Sequence, residues 1–487
     1  MRMKSWLAVA IGLLLCEGMN AQEQWGLRLG TYAGVNGLAL NPASGAGFDY
    51  QVDVNLLSGH FFLETNYVWL RKSSLFGLGL KIGNLDFVEA RDYDLEPQAF
   101  PGDVVFEFAD DARKRYLYSS ATITGPSALF RLKGGHSLGW IVQGRFAMGG
   151  QRLPNNLSYI RYDRRPDLEP FPMHRWEMGM VAWSEIGLHY GRQWQTGYGK
   201  FHLGLTAKYL MGYEGFYFQN NTDLDAYTKI TGDTIAAEKM DLSYSYTRSN
   251  LGAPPFQLVR NGSGFSADLG AEWTFDGAFD PHQYKVGVSL LDIGAIHFSG
   301  EQVVKHHAVS SKPVVLPNGD FDFIDSPEDL DQMVRLFSQH TLGDSAASFV
   351  GNEYTLWMPS AISIQGEFGF FPFLWIHGAL VQQIPHPGAA IERGNAIMLA
   401  PRFEKRWLAA GLPITLYNME QLRVGAFVRV GPLVLGTDHF PGFLIPGRLS
   451  GVDFYFALHW PFNLTDADIS GGRSPNLKGR GVKCYHF

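Results

Sequence analysis

The chain has 487 residues and a formal net charge of −7, and its only cysteines are Cys16 and Cys484. The mildly acidic balance argues against a nucleic-acid partner. One of the two cysteines lies in the leader described next, which excludes a cysteine-based metal site and an internal disulfide.

Residues 1–21 read as an export signal. Arg2 and Lys4 supply the positive start, Trp6–Leu15 is an apolar stretch too short to span a membrane, and Met19-Asn20-Ala21 approximates a small-residue cleavage site. Acylation of Cys16 would call for a small residue before it, and Leu15 is bulky. Cleavage before Gln22 is therefore expected. Beyond it, no stretch approaches the ~18 consecutive apolar residues of a transmembrane helix.

Residues 22–47 form a plug-like N-terminal segment. In it, Pro42 fixes its own φ and biases Asn41 toward extended conformations. Asn41, Pro42 and Ala43 make either a fixed turn that anchors the segment or part of a ligand-gated latch. A turn alone explains these residues.

From 48 to 462 the dominant signal is alternation. In Gly264–Phe275, Phe265, Ala267, Leu269, Ala271, Trp273 and Phe275 share one strand face, and Ser266, Asp268, Gly270, Glu272 and Thr274 share the other. At ~3.3 Å per residue such a strand crosses a bilayer core when tilted. The pattern recurs at 138–146, 201–211, 284–290, 422–429 and 452–460. With the apolar faces toward lipid, Arg145, Lys208, Asp268, Glu272, Lys285, Glu367, Arg423, Arg429 and Asp453 face a lumen. A basic group on the lipid face would cost ~2–4 kcal/mol at midplane, so the interior is the cheaper place. These charges either hold a narrow interior together or line a polar permeation path. Mixed signs suit a closed network better than an ion-selective ring. The 56 glycines and 14% aromatic share agree with a curved sheet bounded by aromatic girdles.

Sixteen candidate strands emerge. Among them are separate strands at 48–58, 60–70 and 75–83, and adjacent ones at 397–406 and 407–417. Short connections (133–136, 277–282, 371–372, 431–432) alternate with long ones (84–114, 149–175, 214–263, 293–356, 385–396, 438–450). Short periplasmic turns and long outer loops are the asymmetry of an outer-membrane barrel. The loop 293–356 carries one helix, announced by Ser326-Pro327-Glu328-Asp329 and by an apolar face of Leu330, Met333, Val334 and Phe337; it either caps the barrel mouth, folds into the lumen or rests on the rim, the last being the plainest reading. His297, His306, His307 and His340 are read as exposed loop histidines, not metal ligands. Residues 463–487 lack alternation and read as a short periplasmic tail.

Gly34–Ser44 (GVNGLALNPAS) resembles the Asn-Pro-Ala entry segment of FadL-like outer-membrane barrels. Asn66–Leu70 (NYVWL), Gly125–Leu129 (GPSAL), Val288–Gly294 (VSLLDIG), Gly431–Thr437 (GPLVLGT) and Gly451–Leu458 (GVDFYFAL) resemble a branch of Bacteroidota outer-membrane proteins related to the PorP and PorV barrels. The resemblance implies an all-β transmembrane antiparallel barrel of about 14 strands (range 12–16), with the N-terminal segment in or at the lumen. The two surplus candidates would then come from one strand split around 397–417, or from a hairpin outside the wall. It implies no catalytic residues, so no enzyme, and neither cofactor nor metal. The first expected role is binding or transport of a hydrophobic or small ligand from the cell outer membrane. The alternative is a non-transporting scaffold in a secretion or motility apparatus, with a lipid-modifying barrel enzyme a distant third. The expected partners are outer-membrane lipid, a hydrophobic ligand and envelope proteins.

Overall fold

The computed structural model describes residues 23–81, 85–100, 102–109, 113–154, 166–222, 224–230, 234–251, 257–275, 283–317 and 329–463. The export signal, the tail beyond 463, the turn at 277–282 and the helix-start residues Ser326, Pro327 and Glu328 lie outside the described residues.

Fourteen antiparallel wall strands close into a ring. They are β1 (Val52–Thr65), β2 (Arg115–Thr124 continuing as Ser127–Arg131), β3 (His136–Leu153), β4 (Trp176–Thr196), β5 (Gly199–Asn220), β6 (Gly262–Phe275) and β7 (Tyr284–Ser299). The second half comprises β8 (Glu353–Trp357 and Ala361–Phe371), β9 (Leu374–Gln383), β10 (Ala396–Glu404), β11 (Leu408–Gly411 and Ile414–Tyr417), β12 (Gln421–Val424 and Ala426–Val430), β13 (Leu433–Thr437) and β14 (Gly451–Phe462). Each strand pairs with the next, and β14 returns to β1 from Val52↔Phe462 to Glu64↔Gly451. Closure leaves no unpaired wall edge, which is what allows strands to cross lipid.

Strand alternation sets the two faces. Leu138, Trp140, Leu188, Leu203, Leu269, Val288, Ile364, Leu399 and Leu458 are exposed on the outer face and form an apolar belt. At the short-turn end Trp194, Phe201, Trp273 and Phe275 make a row of ring contacts with centroids 5.5–6.0 Å apart, the aromatic collar of a membrane interface.

The surplus in the sequence reading lies elsewhere than expected. Both 397–406 and 407–417 contribute wall strands, β10 and β11. Instead, 48–58 and 60–70 largely merge into β1, where a bulge at 55–57 exposes both Leu56 and Leu57 and interrupts the alternation. The candidate at 75–83 is the short helix Leu75–Gly79, because Ser74 caps it by accepting from Gly77 N. Two long "loops" are also partly wall. β5 continues to Asn220 and β7 to Ser299, and the 22 residues of β5 span roughly 70 Å at ~3.3 Å per residue. That exceeds the ~30 Å hydrocarbon core twofold, so β5 rises well beyond it and pairs there with Met240–Thr247, itself paired to Val303–Ser310.

The helix, here α1, runs Leu330–Leu342 and ends on Gly343 at φ 81°. Its Leu330, Val334 and Phe337 pack on Tyr244, Val304 and Ala308 of that raised sheet. His306 is not an exposed loop residue: it is buried on strand Val303–Ser310, its ring stacked 5.0 Å from Tyr244.

Candidate functional site in the barrel lumen

Residues 23–48 lie inside the ring as three short helical turns, Trp25–Arg28, Gly34–Ala39 and Ser44–Gly47. Trp25, Leu27, Leu38 and Leu40 are fully buried. The backbone is tied to the wall by side chains from many strands. Gly26 N donates to Tyr455 Oη (3.0 Å), Val35 N to Asp53 Oδ2 (2.8 Å) and Thr31 N to Glu404 Oε1 (3.0 Å), while Arg402 donates to Leu29 O (2.7 Å). Glu23 is bonded to Arg393.

Asn41-Pro42-Ala43 forms a tight turn, with Ala43 N donating to Asn41 Oδ1 (2.9 Å). Asn41 Nδ2 donates to Gln365 Oε1 on β8 (2.9 Å) and to Ala271 O on β6 (3.3 Å). Ser289 Oγ on β7 donates to Leu40 O (2.6 Å). The turn fits against the wall because the paired residues Gly204 and Gly270 present no side chain there. A Cβ at Gly204 would fall on the Pro42 carbonyl, and one at Gly270 on Asn41 Oδ1.

The lumen holds a dense cluster of charges and, apart from it, an apolar patch. In the cluster Arg145, Lys208 and Asp268 come together. Arg145 makes a bidentate contact with Asp292 (2.8 and 2.9 Å) and reaches Glu185 at 3.3 Å, its guanidinium 4.7 Å over the Trp183 ring. Lys208 Nζ lies 2.5 Å from Asp268 and 2.8 Å from Asp292. Glu272, Lys285 and Glu367 form a second group. Lys285 is opposite Glu367 in the ladder and bonds it at 2.8 Å, while His202 contacts Glu272 (3.2 Å) and His377 contacts Glu367 (3.3 Å).

The remaining three candidates stand apart. Arg423 forks onto Glu64 (2.9 and 2.7 Å) and donates to Ser450 Oγ. Among the described residues Arg429 meets no acid; it donates to the carbonyls of Lys405, Arg406 and Gly431 and sits 3.8 Å over the Tyr32 ring. Asp453 accepts from Asp438 N at 2.6 Å. Each buried charge therefore has a polar partner, without which desolvation would be prohibitive.

The apolar patch lies on the inner face of β8–β14, which also carries Glu367, Arg402, Glu404, Arg423, Arg429 and Asp453. Ala361, Ala379, Val381, Ala396, Met398, Ala400, Ala409, Val434 and Ala457 line it, and Trp25, Leu27 and Leu40 fill the room these small residues leave. Beside the charge cluster, lined by Arg28, His60, Tyr118, Gln143 and Arg145, a cavity of ≈ 50 Å³ remains. It is large enough for a few waters and far short of the ~300 Å³ or more of an organic-ligand pocket. Among the described residues, no protein atom partners either ring nitrogen of His60.

Sequence reasoning missed Asp292, Glu185, Glu64 and Arg402. Asp292 was hidden by a bulge near 268 and 291–292: its φ of 52° turns it inward beside the equally buried Leu291, breaking the alternation. Glu185 and Arg402 sit at inward positions of alternating strands, and Glu64 keeps step with His60 and Phe62 beyond the β1 bulge, so extending the count along β4, β10 and that part of β1 would have found them.

Residues 42–438 match the model of a family of unknown function, DUF5723. The chain belongs to this family. The DUF5723 match begins at Pro42 of the lumenal turn and takes in β1–β13. Among curated proteins none matches. Solved structures with a similar course include a mutant of the monoaromatic hydrocarbon channel TodX (TM-score 0.38, 8% identity, 89% of this chain and 95% of that one). A Pseudomonas aeruginosa FadL homologue gives TM-score 0.23 and 9% identity over 92% and 100% of the two chains. The Ralstonia pickettii toluene transporter TbuX gives 0.28 and 8% over 87% and 92%. TM-scores this low leave the function to the barrel's own geometry.

Proposed function

We propose that the chain is an outer-membrane barrel, exported by residues 1–21, that binds or transports a hydrophobic or small ligand along a path now occupied by its own N-terminal segment. The observation that carries this reading is the apolar patch of the lumen. A water-filled channel has a polar interior, whereas here a patch of alanine, valine and methionine is covered by Trp25, Leu27 and Leu40. Withdrawing these side chains would bare an apolar surface, with charged groups beside it for a polar end of the ligand. The likeness of Gly34–Ser44 to the FadL entry segment agrees with this role for the segment.

A second reading is a closed scaffold in an envelope apparatus, in line with the PorP/PorV likeness. The paired charges of β3–β8 favour it, since a network this complete needs no passage to explain it.

Deleting residues 23–45 separates the two. On the transport reading the barrel still shows heat-modifiable migration, its conductance in planar bilayers rises, and it gains binding of the apolar dye N-phenyl-1-naphthylamine. Unchanged conductance and dye binding in a folded barrel would overturn that reading in favour of the scaffold.

A further inference from the structure

On the long-loop side a small lobe is attached to the outside of the wall. Strands Val68–Ser73, Phe87–Glu89, Val104–Phe108 and Gly447–Leu449 pair into a sheet. Two short helices, Leu75–Gly79 and Phe440–Leu444, lie side by side on it. The lobe's core of Leu78, Val104, Leu449, Leu70 and Phe87 is packed together with Val452. Val452 alternates with the buried Gly451 and Asp453 and so stands on the outer face of β14. The lobe thus leans over the flank of the barrel instead of closing its mouth.

Its two helices turn apolar side chains outward: Phe76 is 56% exposed, Leu80 74%, Leu444 47% and Ile445 62%. For side chains of this size such exposure to water is costly when several cluster together. The patch is continuous with the apolar belt. Helix Phe440–Leu444 packs beside Gln421–Val424 of β12 and beside β14, where Leu422 and Val424 are exposed on the lipid face. The wall is also low at this point, because β11 and β12 are joined by only residues 418–420, while β4 and β5 rise to 21 and 22 residues.

We propose that this lobe is a membrane-contacting device: Phe76, Leu80, Leu444 and Ile445 insert into the lipid leaflet beside β12–β14 and brace the low side of the barrel. The occupant is lipid because the patch continues the surface that lipid already covers. The inference rests on the barrel being embedded and is independent of what its lumen carries.

Site-directed spin labels test it. Both native cysteines are replaced by serine, and Leu80→Cys, Ile445→Cys, Leu269→Cys and Glu96→Cys are labelled one at a time. The barrels are placed in vesicles of phosphatidylethanolamine and phosphatidylglycerol. Leu269 reports the belt and so reads embedding separately; Glu96, exposed on the same lobe, reports water. Labels at 80 and 445 should collide with oxygen as the Leu269 label does, and several-fold less with a water-soluble nickel chelate than the Glu96 label. Should the Leu80 variant fail to assemble, Ile445 alone decides. Nickel accessibility equal to that at Glu96, with Leu269 protected, overturns the proposal and assigns the patch to a protein partner or a second copy.

Discussion

Arg145 and Asp292 face each other across 147 residues of sequence and are joined by two parallel hydrogen bonds of 2.8 and 2.9 Å. The same carboxylate also takes Lys208 at 2.8 Å. One residue at positive φ, on a strand that would otherwise present only Ser289 and Leu291 to the interior here, thereby bridges bases from two other strands, whose remaining charge Glu185 and Asp268 balance.

Asp292→Ala should therefore be among the most damaging single changes. It leaves two buried cations short of a partner, and removing one member of a buried pair costs ~3–5 kcal/mol. Guanidinium unfolding in detergent, read by intrinsic fluorescence, checks this. Replacing Arg145 by Met in the same chain should recover part of the loss; a double variant worse than the sum of the single ones would contradict the pairing.

The two faces of β6 should respond oppositely to charge. Ala271→Arg places a base on the outer face and should cost ~2–4 kcal/mol near midplane. Glu272→Gln keeps shape and a hydrogen bond to His202, and should be milder. Assembly yield into vesicles reads both, and a reversed order would refute the assignment of the faces.

Gly270→Val tests how the N-terminal segment is seated. The added side chain collides with Asn41, and overpacking of this kind costs ~1–3 kcal/mol. The cheaper relief is release of the turn, since β6 is held on both sides by ladders. Cleavage between residues 28 and 45 by added protease should appear in the variant and be absent from the parent. Equal protection in both would mean that the wall, not the turn, yields.

The raised sheet should weaken in acid. Burial lowers His306 to about 4, with Arg248 pushing the same way and Asp331 opposing. Between that value and ~6.5 for a free histidine the unfolded segment binds more protons. The stabilisation is full above ~6.5 and is lost as pH falls toward 4. Limited proteolysis of the raised sheet and α1 across this range should show rising susceptibility with acid, and His306→Gln should flatten the profile.

What the sequence by itself determined is whatever depends on neighbours in the chain. Alternation with a period of two separates Leu269 from Asp268, and Leu422 from Arg423, without any knowledge of the fold, and repeated strands with short and long connections lead to a closed antiparallel barrel. Pro42 after Asn41 likewise marks a turn, because its φ restriction is local. Tertiary structure alone decided the rest. A bulge shifts side-chain parity by one residue, so Asp292 and the exposed pair Leu56 and Leu57 escape the pattern. Ring closure chooses which base meets which acid, bringing Arg145 to Asp292 and Arg423 to Glu64 while leaving Arg429 on carbonyls. Which inward residues gather into the charge cluster and which into the apolar patch is likewise decided by ring closure, since a single strand carries both kinds, as β10 does with Ala396, Met398, Ala400, Arg402 and Glu404.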